Sequence, residues 1–574
     1  MLRYIKRFRV LSLSVLVILV GSYTYVSKWC LLNVSNMGKG ESNEAREFIE
    51  DFLPQMKLTN HEPVFCLPWK RSELAHPQKS IYPQRTVQWI GLRETTCPIY
   101  STLHVVNWKS EYSICDRLQA KIVLRNWKNQ TKSYGGDYVR AVITSRNPYA
   151  SANADYLFDY GNGTYMAYFT LRWPAKDAEI IVTLVHPREA VDILRRLLRV
   201  VPNRFAYTGR FNEEGNVTRG ENRLCHVYEP LGPACNLSDT KVHAPWFCEQ
   251  PIRFNLTCAD FTWHRANNVL ANEKAGNLVT ENEGWLFYLQ KEMITSSNRI
   301  VNVTSDVTIG PLLRYQSALP YCKAGTVPHH FRTAGYFYNE TWFPHNCQIH
   351  AFTVTEALTC LKNKSVYFYG DSTVRQLYEF FVNRCWKTFQ EKHIRTSKFW
   401  KVGPLLAKDD VNNITLRYQH HGLPIRNNWT WVKDIRYISN ELDTLKGGYD
   451  VIIVISLWAH FTATSYGLFE HRIRDIKAAI NRLLQRSPKT TVIIKGANTR
   501  DHSGLSYALY ASDWYAYHLE QILRTEFEND DKIGYLDVWD MTLAHHHKDA
   551  IHPPGEVVAN IVNRMLTYIC KNSP

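Results

Sequence analysis

The pattern of apolar and polar residues differs between the two halves of the chain. From about residue 100 to 190, short runs either alternate apolar with polar residues or are rich in β-branched residues, and Gly, Asn, Pro or Asp separates them. This pattern predicts strands, and their close spacing favours a β-sandwich. The predicted strands are residues 103–108, 121–127, 138–144, 165–173 and 179–186.

From residue 351 onward, short apolar runs alternate with longer segments in which apolar residues recur at helical spacing. In one of these segments Ile473, Ile476 and Ile480 fall on the same helical face. The pattern predicts strands at 366–369, 451–456, 491–495 and 533–538, and helices at 373–384, 472–485, 507–527 and 555–569. Buried strands that alternate with amphipathic helices predict a three-layer α/β fold, a parallel sheet with helices on both sides.

Two short motifs lie where such a sheet binds ligands, beyond the carboxyl ends of its strands. Gly370-Asp371-Ser372 stands at the first strand–helix junction, where a serine is exposed beside backbone N–H groups and a helix dipole. Asp549 and His552 lie three residues apart, between the last predicted strand and the last predicted helix. We therefore predict Ser372 as nucleophile, His552 as base and Asp549 as the acid that orients the base.

Residues around Ser372 are predicted to support this chemistry. Gly370 leaves the approach to the backbone N–H groups unobstructed, so that these groups can bind an oxyanion. Arg375 lies one helical turn from Ser372 and could pair with Asp371 or steady developing charge. The alternative for Arg375 is a salt bridge on the helix surface.

The N-terminus has the layout of a secretory targeting segment. A basic segment, residues 1–9, precedes a mostly apolar stretch over 10–26. It is either a cleaved signal peptide, which would give a secreted protein, or an uncleaved signal anchor, which we favour. In the second case residues 1–9 are cytoplasmic, residues 27–60 form a stalk, and the bulk of a single-pass type II protein is lumenal.

Glycosylation sequons also indicate the secretory route. Asn363 is close to the strand before Ser372 and is the one we expect to be unused, and Asn33 lies in the stalk. The predicted acceptors are Asn129, Asn162, Asn216, Asn236, Asn255, Asn302, Asn339, Asn413 and Asn428.

The cysteines point to disulfides rather than to metal. Thirteen cysteines are present, and setting the juxtamembrane Cys30 aside leaves an even lumenal set. Cys66 and Cys97 are expected to pin the segment from 61 to 100. Four cysteines of the loop-dominated segment 225–258 are spaced too widely for a usual zinc ribbon and are predicted to form structural bridges: Cys225, Cys235, Cys248 and Cys258.

Charge and histidine content add little further chemistry. The net charge of +15 is spread along the chain, which in the secretory pathway points to acidic glycans or anionic membranes and away from nucleic acid. A merely soluble basic surface is the alternative. His545, His546 and His547 are consecutive, and such residues rarely form a coordination shell, so no metal is predicted.

The motifs resemble those of a known family. Gly370-Asp371-Ser372 with Asp549-x-x-His552 is similar to the SGNH/GDSL hydrolases, and the extension to Arg375 resembles their PC-esterase branch, which acts on acyl esters of glycans. The β-rich, cysteine-containing segment from about 70 to 280 resembles neurexophilins. This two-part order is typical of the neurexophilin and PC-esterase domain (NXPE) family.

The resemblance implies a neurexophilin-like, sandwich-type domain over 61–300 and an SGNH-like domain over 301–574. It also implies a lumenal or secreted glycoprotein, for example of the Golgi, that transfers acyl groups to or from carbohydrate. Sialic acid O-acetylation is one activity reported within the family. A donor such as acetyl-CoA could supply the acyl group, and no bound cofactor is expected.

One departure concerns the oxyanion site. SGNH hydrolases usually take an asparagine from a motif after a middle strand, whereas here the strand at 451–456 leads to Trp458 and His460. PC-esterases also replace that motif, so these two side chains are expected to line the site. Asn498, after the next strand, is either an oxyanion donor or a turn residue.

Two functions therefore remain open. The first is an O-acyltransferase or esterase acting on secretory glycans. The second is a binding glycoprotein whose neurexophilin-like half contacts another cell-surface protein while the C-terminal half is catalytically idle.

Overall fold

The structure is a computed structural model that describes residues 64–66, 91–213, 219–288, 291–292, 299–304, 314–315, 319–326, 333–385, 388–392, 403–500, 504–546 and 551–570. All of them belong to a compact unit that runs from Met56 to Pro574. The predicted targeting segment and stalk lie outside the described residues. Within the described ranges no helix has both the length and the apolar character that a membrane span requires.

The described strands alternate with few helices before residue 350 and with many after it. The strands are Val64–Phe65 (β1), Thr102–Val105 (β2), Tyr112–Ser113 (β3), Arg117–Val123 (β4), Tyr138–Arg146 (β5), Tyr149–Asn153 (β6), Tyr156–Asp159 (β7), Thr164–Thr170 (β8), Ala175–His186 (β9), Tyr207–Asn212 (β10), Gly220–His226 (β11), Ala234–Asn236 (β12), Phe247–Glu249 (β13), Phe261–Ala266 (β14), Lys291–Glu292 (β15), Ile300–Thr304 (β16), Arg314–Tyr315 (β17), Gly335–Tyr338 (β18), Thr341–Pro344 (β19), Ser365–Gly370 (β20), Gln390–Glu391 (β21), Leu405–Asp409 (β22), Ile414–His420 (β23), Thr430–Trp431 (β24), Val451–Ser456 (β25), Thr491–Lys495 (β26) and Ile533–Leu536 (β27). The α-helices are Arg188–Val200 (α1), Asn268–Leu278 (α2), Glu281–Trp285 (α3), Val354–Leu361 (α4), Ser372–Glu379 (α5), Ile438–Thr444 (α6), Tyr466–Arg486 (α7), Gly504–Ala511 (α8), Asp513–Phe527 (α9), Trp539–Ala544 (α10) and Gly555–Cys570 (α11).

Two sheets pack face to face in the N-terminal half, where the alternating pattern predicts strands. One has the order β2-β4-β8-β7, and the other runs β19-β18-β6-β5-β9-β16-β3. Their common core takes Ile122 and Phe169 from the first sheet and Ile143 and Ile180 from the second. Because β18 and β19 follow residue 300, the larger sheet contains strands from both sides of the predicted domain boundary.

The cysteine-rich segment, predicted to be dominated by loops, contains strands. It contributes β11, β12 and β13 to a sheet of order β12-β13-β11-β10-β14-β24. Its predicted bridges are confirmed, as Cys225–Cys248 and Cys235–Cys258. The expectation for the segment before residue 100 holds for Cys66, which pairs with Cys115, but not for Cys97, which is a buried free thiol. Two further disulfides are Cys322–Cys347 and Cys360–Cys570.

A mainly parallel sheet forms the centre of the C-terminal half. Its order is β21-β22-β23-β20-β25-β26-β27, and all neighbours from β23 to β27 are parallel. Helices α6, α7 and α9 bury apolar residues against one face, including Leu442, Ile476 and Leu519. Helix α5 follows β20 in the chain and packs against it, and α11 contacts both α5 and β27. Strand β20 lies between β23 and β25, so the chain leaves it at the point where the strand order reverses.

The predicted helix at 507–527 is two helices. Ser512 interrupts it with an extended backbone (φ −53°, ψ 144°), and its hydroxyl accepts a hydrogen bond from the backbone N–H of Trp514. Serine at such a position caps the second helix rather than continuing the first. The break separates α8 from α9 and places Asp513 at the start of α9.

Candidate active site

The turn after β20 has a backbone that only glycine fits. Gly370 has φ 141°, and a Cβ there would lie 1.7 Å from the carbonyl oxygen of Ser456 on the neighbouring strand. The carbonyl of Gly370 accepts hydrogen bonds from the backbone N–H of His421 at 3.2 Å and from the Tyr418 hydroxyl at 3.3 Å. The sharp turn therefore brings Ser372 to the carboxyl edge of the sheet as the first residue of α5.

Ser372 and His552, predicted from distant parts of the sequence, are in direct contact. His552 Nε2 lies 2.8 Å from Ser372 Oγ, which is hydrogen-bond distance. Ser372 is half-buried and His552 is exposed, so the pair is open to solvent. Asp549 lies outside the described residues, and its role as the orienting acid stays a prediction.

The surroundings of His552 favour its neutral form. Partial burial, and after it the positive charge of Arg375, lower the pKa of His552 below 6.5, while the carboxylate of Asp371 opposes the shift. A neutral imidazole with an unprotonated Nε2 is the form that can remove the proton of a serine hydroxyl. The lowered pKa thus favours, at neutral pH, the neutral imidazole that nucleophilic attack requires.

Asp371 joins the loop after β25 to the turn that leads from β20 to Ser372. It is completely buried, and one carboxylate oxygen accepts hydrogen bonds from the backbone N–H and the hydroxyl of Thr373, at 2.8 and 2.7 Å. The other oxygen accepts from the backbone N–H groups of Trp458 and Ala459, at 3.1 and 3.0 Å. Its carboxylate is therefore occupied by structural contacts, and it caps α5.

Arg375 forms a salt bridge within its own helix, which was the alternative interpretation of this residue. Its Nε donates to Glu379 Oε1 at 2.9 Å, one turn further along. The guanidinium is mostly buried, unlike a side chain on an open helix surface. Its charge still acts on the site, since it lowers the pKa of His552 after the effect of burial.

Asn498 supports the loop of His552 rather than an oxyanion. It is completely buried, and its side-chain Nδ2 donates to the carbonyl oxygens of Thr499 and Ile551, both at 3.0 Å. The two amide hydrogens are thereby used, so the predicted oxyanion role does not fit this arrangement. Because Ile551 immediately precedes His552, Asn498 ties the loop of His552 to the end of β26.

Trp458 and His460 differ in how they approach the site. Trp458 is completely buried in the core between the sheet and its helices, so its ring does not line an open cleft, and its contribution is the backbone N–H to Asp371. His460 is buried, and its Nδ1 lies 3.0 Å from Nε2 of His421.

The backbone N–H of Ser372 is the best placed oxyanion donor. As the first helical residue it has no acceptor four residues earlier, and within the described residues no other acceptor takes it. The N-terminal end of α5 adds its positive dipole at the same place. A carbonyl carbon attacked by Ser372 Oγ would place its oxygen near this donor.

Two residues of the site were missed from the sequence. Gln376, one turn after Ser372, donates from Nε2 to the carbonyl of Pro553 at 3.1 Å, on the far side of His552 from Asn498. Lys495 is completely buried beneath the turn, with Nζ 3.3 Å from both Thr373 Oγ1 and Asn498 Oδ1, and burial lowers its pKa to about 8. Helical spacing from Ser372 could have indicated Gln376, whereas nothing in the apolar strand β26 indicates a buried contact for Lys495.

Two groups of side chains bring candidate metal ligands together. His420, His421 and His460 have ring nitrogens within 4.8 Å of one another, yet His421 uses Nδ1 and Nε2 for hydrogen bonds to Gly422 and His460. Burial, the other histidines and then the charges of Arg426 and Arg375 lower the pKa of His460, and these two positive charges would also oppose a cation.

The second group, Glu340, His545 and His546, lies beyond α10. His545 Nε2 is 3.3 Å from Glu340 Oε2, and His546 Nδ1 contacts the hydroxyl of Tyr149. The candidate ligand atoms of both groups thus already take part in hydrogen bonds within the protein.

Comparison with known families agrees with the two-part organisation. Residues 342–570 match the family model described as NXPE family member 4-like, C-terminal domain. Residues 94–288 match the model described as Neurexophilin. Ser372 and His552 both lie within the first match. The chain therefore matches the NXPE family in two parts, a neurexophilin-like N-terminal part followed by the C-terminal domain of that family.

Proposed function

We propose that this protein is a serine-dependent acyl-transfer enzyme of the SGNH type that acts on glycans such as those carrying sialic acid. The observation that carries the proposal is the 2.8 Å contact between Ser372 Oγ and His552 Nε2 at the carboxyl edge of a parallel sheet. Whether the enzyme is an O-acetyltransferase or an esterase depends on the acceptor, because the same catalytic set serves both.

In the first step Ser372 Oγ attacks the acyl carbonyl while His552 Nε2 takes the hydroxyl proton. The backbone N–H of Ser372 donates to the oxyanion that forms, and the dipole of α5 stabilises the same charge. Collapse of the intermediate expels the leaving group, which receives the proton from His552. Asp549 is proposed to hold the imidazole in the tautomer with its proton on Nδ1.

In the second step His552 removes a proton from the acceptor, and the acceptor oxygen attacks the acyl-Ser372 ester. The bond between the acyl carbon and Ser372 Oγ then breaks, and Ser372 regains its proton from His552. Water as acceptor gives an esterase, and a sugar hydroxyl gives a transferase. Acetyl-CoA is the proposed donor in the second case. The exposure of His552 leaves room for a large acceptor such as a glycan chain.

The proposed location is the lumen of the secretory pathway, in a Golgi membrane through the N-terminal segment or in secreted form. Five disulfides among the described residues support an oxidising compartment. The neurexophilin-like part is proposed to contact a cell-surface protein. Most of the predicted glycosylation acceptors are exposed in the structure: Asn129, Asn162, Asn236, Asn255, Asn339, Asn413 and Asn428. Asn302 is half-buried, and Asn216 lies outside the described residues. Asn363, which was predicted to be unused, is exposed as well.

The direct test incubates the purified full-length protein with a labelled acetyl donor and sialylated glycans. Ser372→Ala and His552→Ala are each expected to lower the rate by about 10³-fold or more. Ser110→Ala, a change at an exposed serine of the N-terminal half, is the matched control and should retain full activity. Folded wild-type protein without Ser372-dependent turnover, together with retained binding to a surface partner, would favour the idle binding glycoprotein.

A further inference from the structure

Two guanidinium groups lie near His552 of the Ser372–His552 pair, and a third lies near one of these two. After the effect of burial, the charges of Arg375 and Arg500 both lower the pKa of His552, so both lie within electrostatic reach of its ring. Burial and then the charge of Arg426 lower the pKa of Arg500 to about 9, so Arg426 is also close. The carboxylates of Asp371 and Glu379 act on the same ring in the opposite sense, so the site holds charges of both signs.

Two of these arginines have hydrogen-bond acceptors within the protein. Arg375 donates to Glu379 at 2.9 Å. Arg426 donates to the Thr462 hydroxyl at 2.8 Å, to the carbonyl of Tyr510 at 3.1 Å, and to that of Ala459. These acceptors bind both terminal nitrogens of Arg426 and, being neutral, form no ion pair with it.

Arg500 differs from both. It is only 6% exposed, yet within the described ranges its guanidinium has neither a carboxylate nor a hydrogen-bond acceptor, and its Nε is buried without a partner. Its Cζ lies 5.9 Å from the centre of the Tyr507 ring. The carboxylate of Asp513 accepts the backbone N–H of Arg500 at 2.9 Å but forms its ion pair with Arg140.

A buried guanidinium without an anion is costly, because the lost hydration is not replaced. Arg500 follows β26, at the edge of the sheet where β20 delivers Ser372. A bound oxyanion would supply the acceptor that the described residues do not provide, and a planar guanidinium fits a carboxylate or a phosphate with two parallel hydrogen bonds. The positive charge of Arg426 would favour the same anion.

We propose that Arg500 binds an oxyanion of the substrate beside Ser372 and His552, and so selects anionic substrates. The inference rests on the proposed acyl transfer at Ser372 and names the group that the site recognises. The oxyanion has two possible sources, a carboxylate on the acceptor sugar and a phosphate on the acyl donor. Arg500 acts on specificity, since it contacts the substrate away from the reacting carbonyl.

The experiment compares Arg500→Gln with the wild type in the full-length protein. One arm uses an acceptor sugar that carries a carboxylate and the methyl ester of the same sugar. The other arm uses acetyl-CoA and a phosphate-free acetyl thioester. The measured quantity is the ratio of kcat/KM between the charged and the neutral member of each pair, with 4-nitrophenyl acetate hydrolysis as a neutral reference for Ser372.

For one of the two pairs the wild type should prefer the charged member, and Arg500→Gln should reduce that preference by about 10- to 100-fold, chiefly through KM. The pair that responds identifies the source of the oxyanion. Arg500→Lys should recover part of the preference, because lysine keeps the charge without the planar fork. Arg253→Gln, an equal loss of charge at an exposed position, is the control and should leave both ratios unchanged.

The inference is overturned if Arg500→Gln leaves both ratios unchanged, or if it lowers kcat/KM equally for charged and neutral substrates together with the melting temperature. The second result would assign Arg500 to stability. Failure of the proposed function is a separate result: the wild type would then show no Ser372-dependent hydrolysis of 4-nitrophenyl acetate. Hydrolysis without charge discrimination would reject the role of Arg500 alone.

Discussion

At the scale of single residues, the site depends on a backbone that admits no side chain at one position and on an imidazole kept neutral at another. Gly370 turns the chain so tightly that the carbonyl of Ser456 fills the place of a Cβ. His552 Nε2 lies at hydrogen-bond distance from Ser372 Oγ, and burial and then Arg375 lower the pKa of His552, which favours its neutral form. Both conditions are local, and each can be changed by one substitution.

Gly370→Ala is expected to destabilise the protein by at least about 3 kcal/mol, because the added methyl group meets backbone and φ is positive. Gly467→Ala is the matched control. Gly467 lies in α7, where an added Cβ would have no other atom within 4 Å, and this change should stabilise by about 0.5–1 kcal/mol. Chemical denaturation of both variants checks the pair, and equal stabilities would contradict the account of the turn.

The pH dependence of kcat/KM follows from the lowered pKa of His552. Activity should be constant near neutral pH and fall on acidification through an apparent pKa below 6.5, since protonated His552 cannot accept the serine proton. Arg375→Gln removes a positive charge that lowers this pKa, so its acid limb should move to higher pH. An acid limb that stays in place in this variant would show that Arg375 does not act on His552.

At the scale of elements, the position of His552 is set by two side chains on either side of it. Asn498, after β26, donates to the carbonyl before His552, and Gln376, on α5, donates to the carbonyl after it. The loop is thus tied both to the helix that carries the nucleophile and to the neighbouring strand. Misplacement of a catalytic group by about 1 Å can lower a rate by about 100-fold.

Gln376→Ala should therefore lower kcat by about 10-fold and change KM little, because the loop loses one support while the substrate contacts remain. Gln521→Ala, on the exposed side of α9, is the matched control and should be silent. Steady-state kinetics of both variants separate the two constants. A change in KM alone would mean that Gln376 contacts the substrate instead.

Much of the fold around the site could be predicted from the sequence, because the strands and helices there have strong apolar periodicity. Strands β20, β25, β26 and β27 and the strand–turn–helix at Ser372 agree with the pattern. The roles of Gln376 and Lys495 could not be predicted, since they depend on which loops meet in space. The strands of the cysteine-rich segment were also missed, because two of them, β12 and β13, are only three residues long and gain their partners from distant residues.

At the scale of the whole molecule, the two halves of the sequence share structure. Strand β24 of the C-terminal half pairs with β14 of the neurexophilin-like half, where Trp431 stacks on Trp263 at 3.8 Å. His264 contacts the carbonyl of Ile425 at 2.8 Å, and Arg204 donates to that of Thr462 at 2.9 Å. The N-terminal half therefore holds two segments of the site in place, the one that contains Arg426 and the one that follows His460.

A chain that begins at residue 301 should consequently lack both a cooperative unfolding transition and Ser372-dependent activity. Its sheets would lose strand partners, and buried groups such as the carbonyl of Ile425 would lose their donors. Circular dichroism during thermal unfolding and hydrolysis of 4-nitrophenyl acetate are the measurements. A truncated chain that unfolds cooperatively with full activity would show that the N-terminal half serves binding alone.

The most direct measurement of the central claim is the search for an acyl-enzyme by mass spectrometry after acid quenching. Wild-type protein exposed to an activated acetyl ester should carry one acetyl group on the peptide that contains Ser372, and His552→Ala should show far less. Acetylation spread over lysines with an unmodified Ser372, at a level that His552→Ala does not change, would contradict the account.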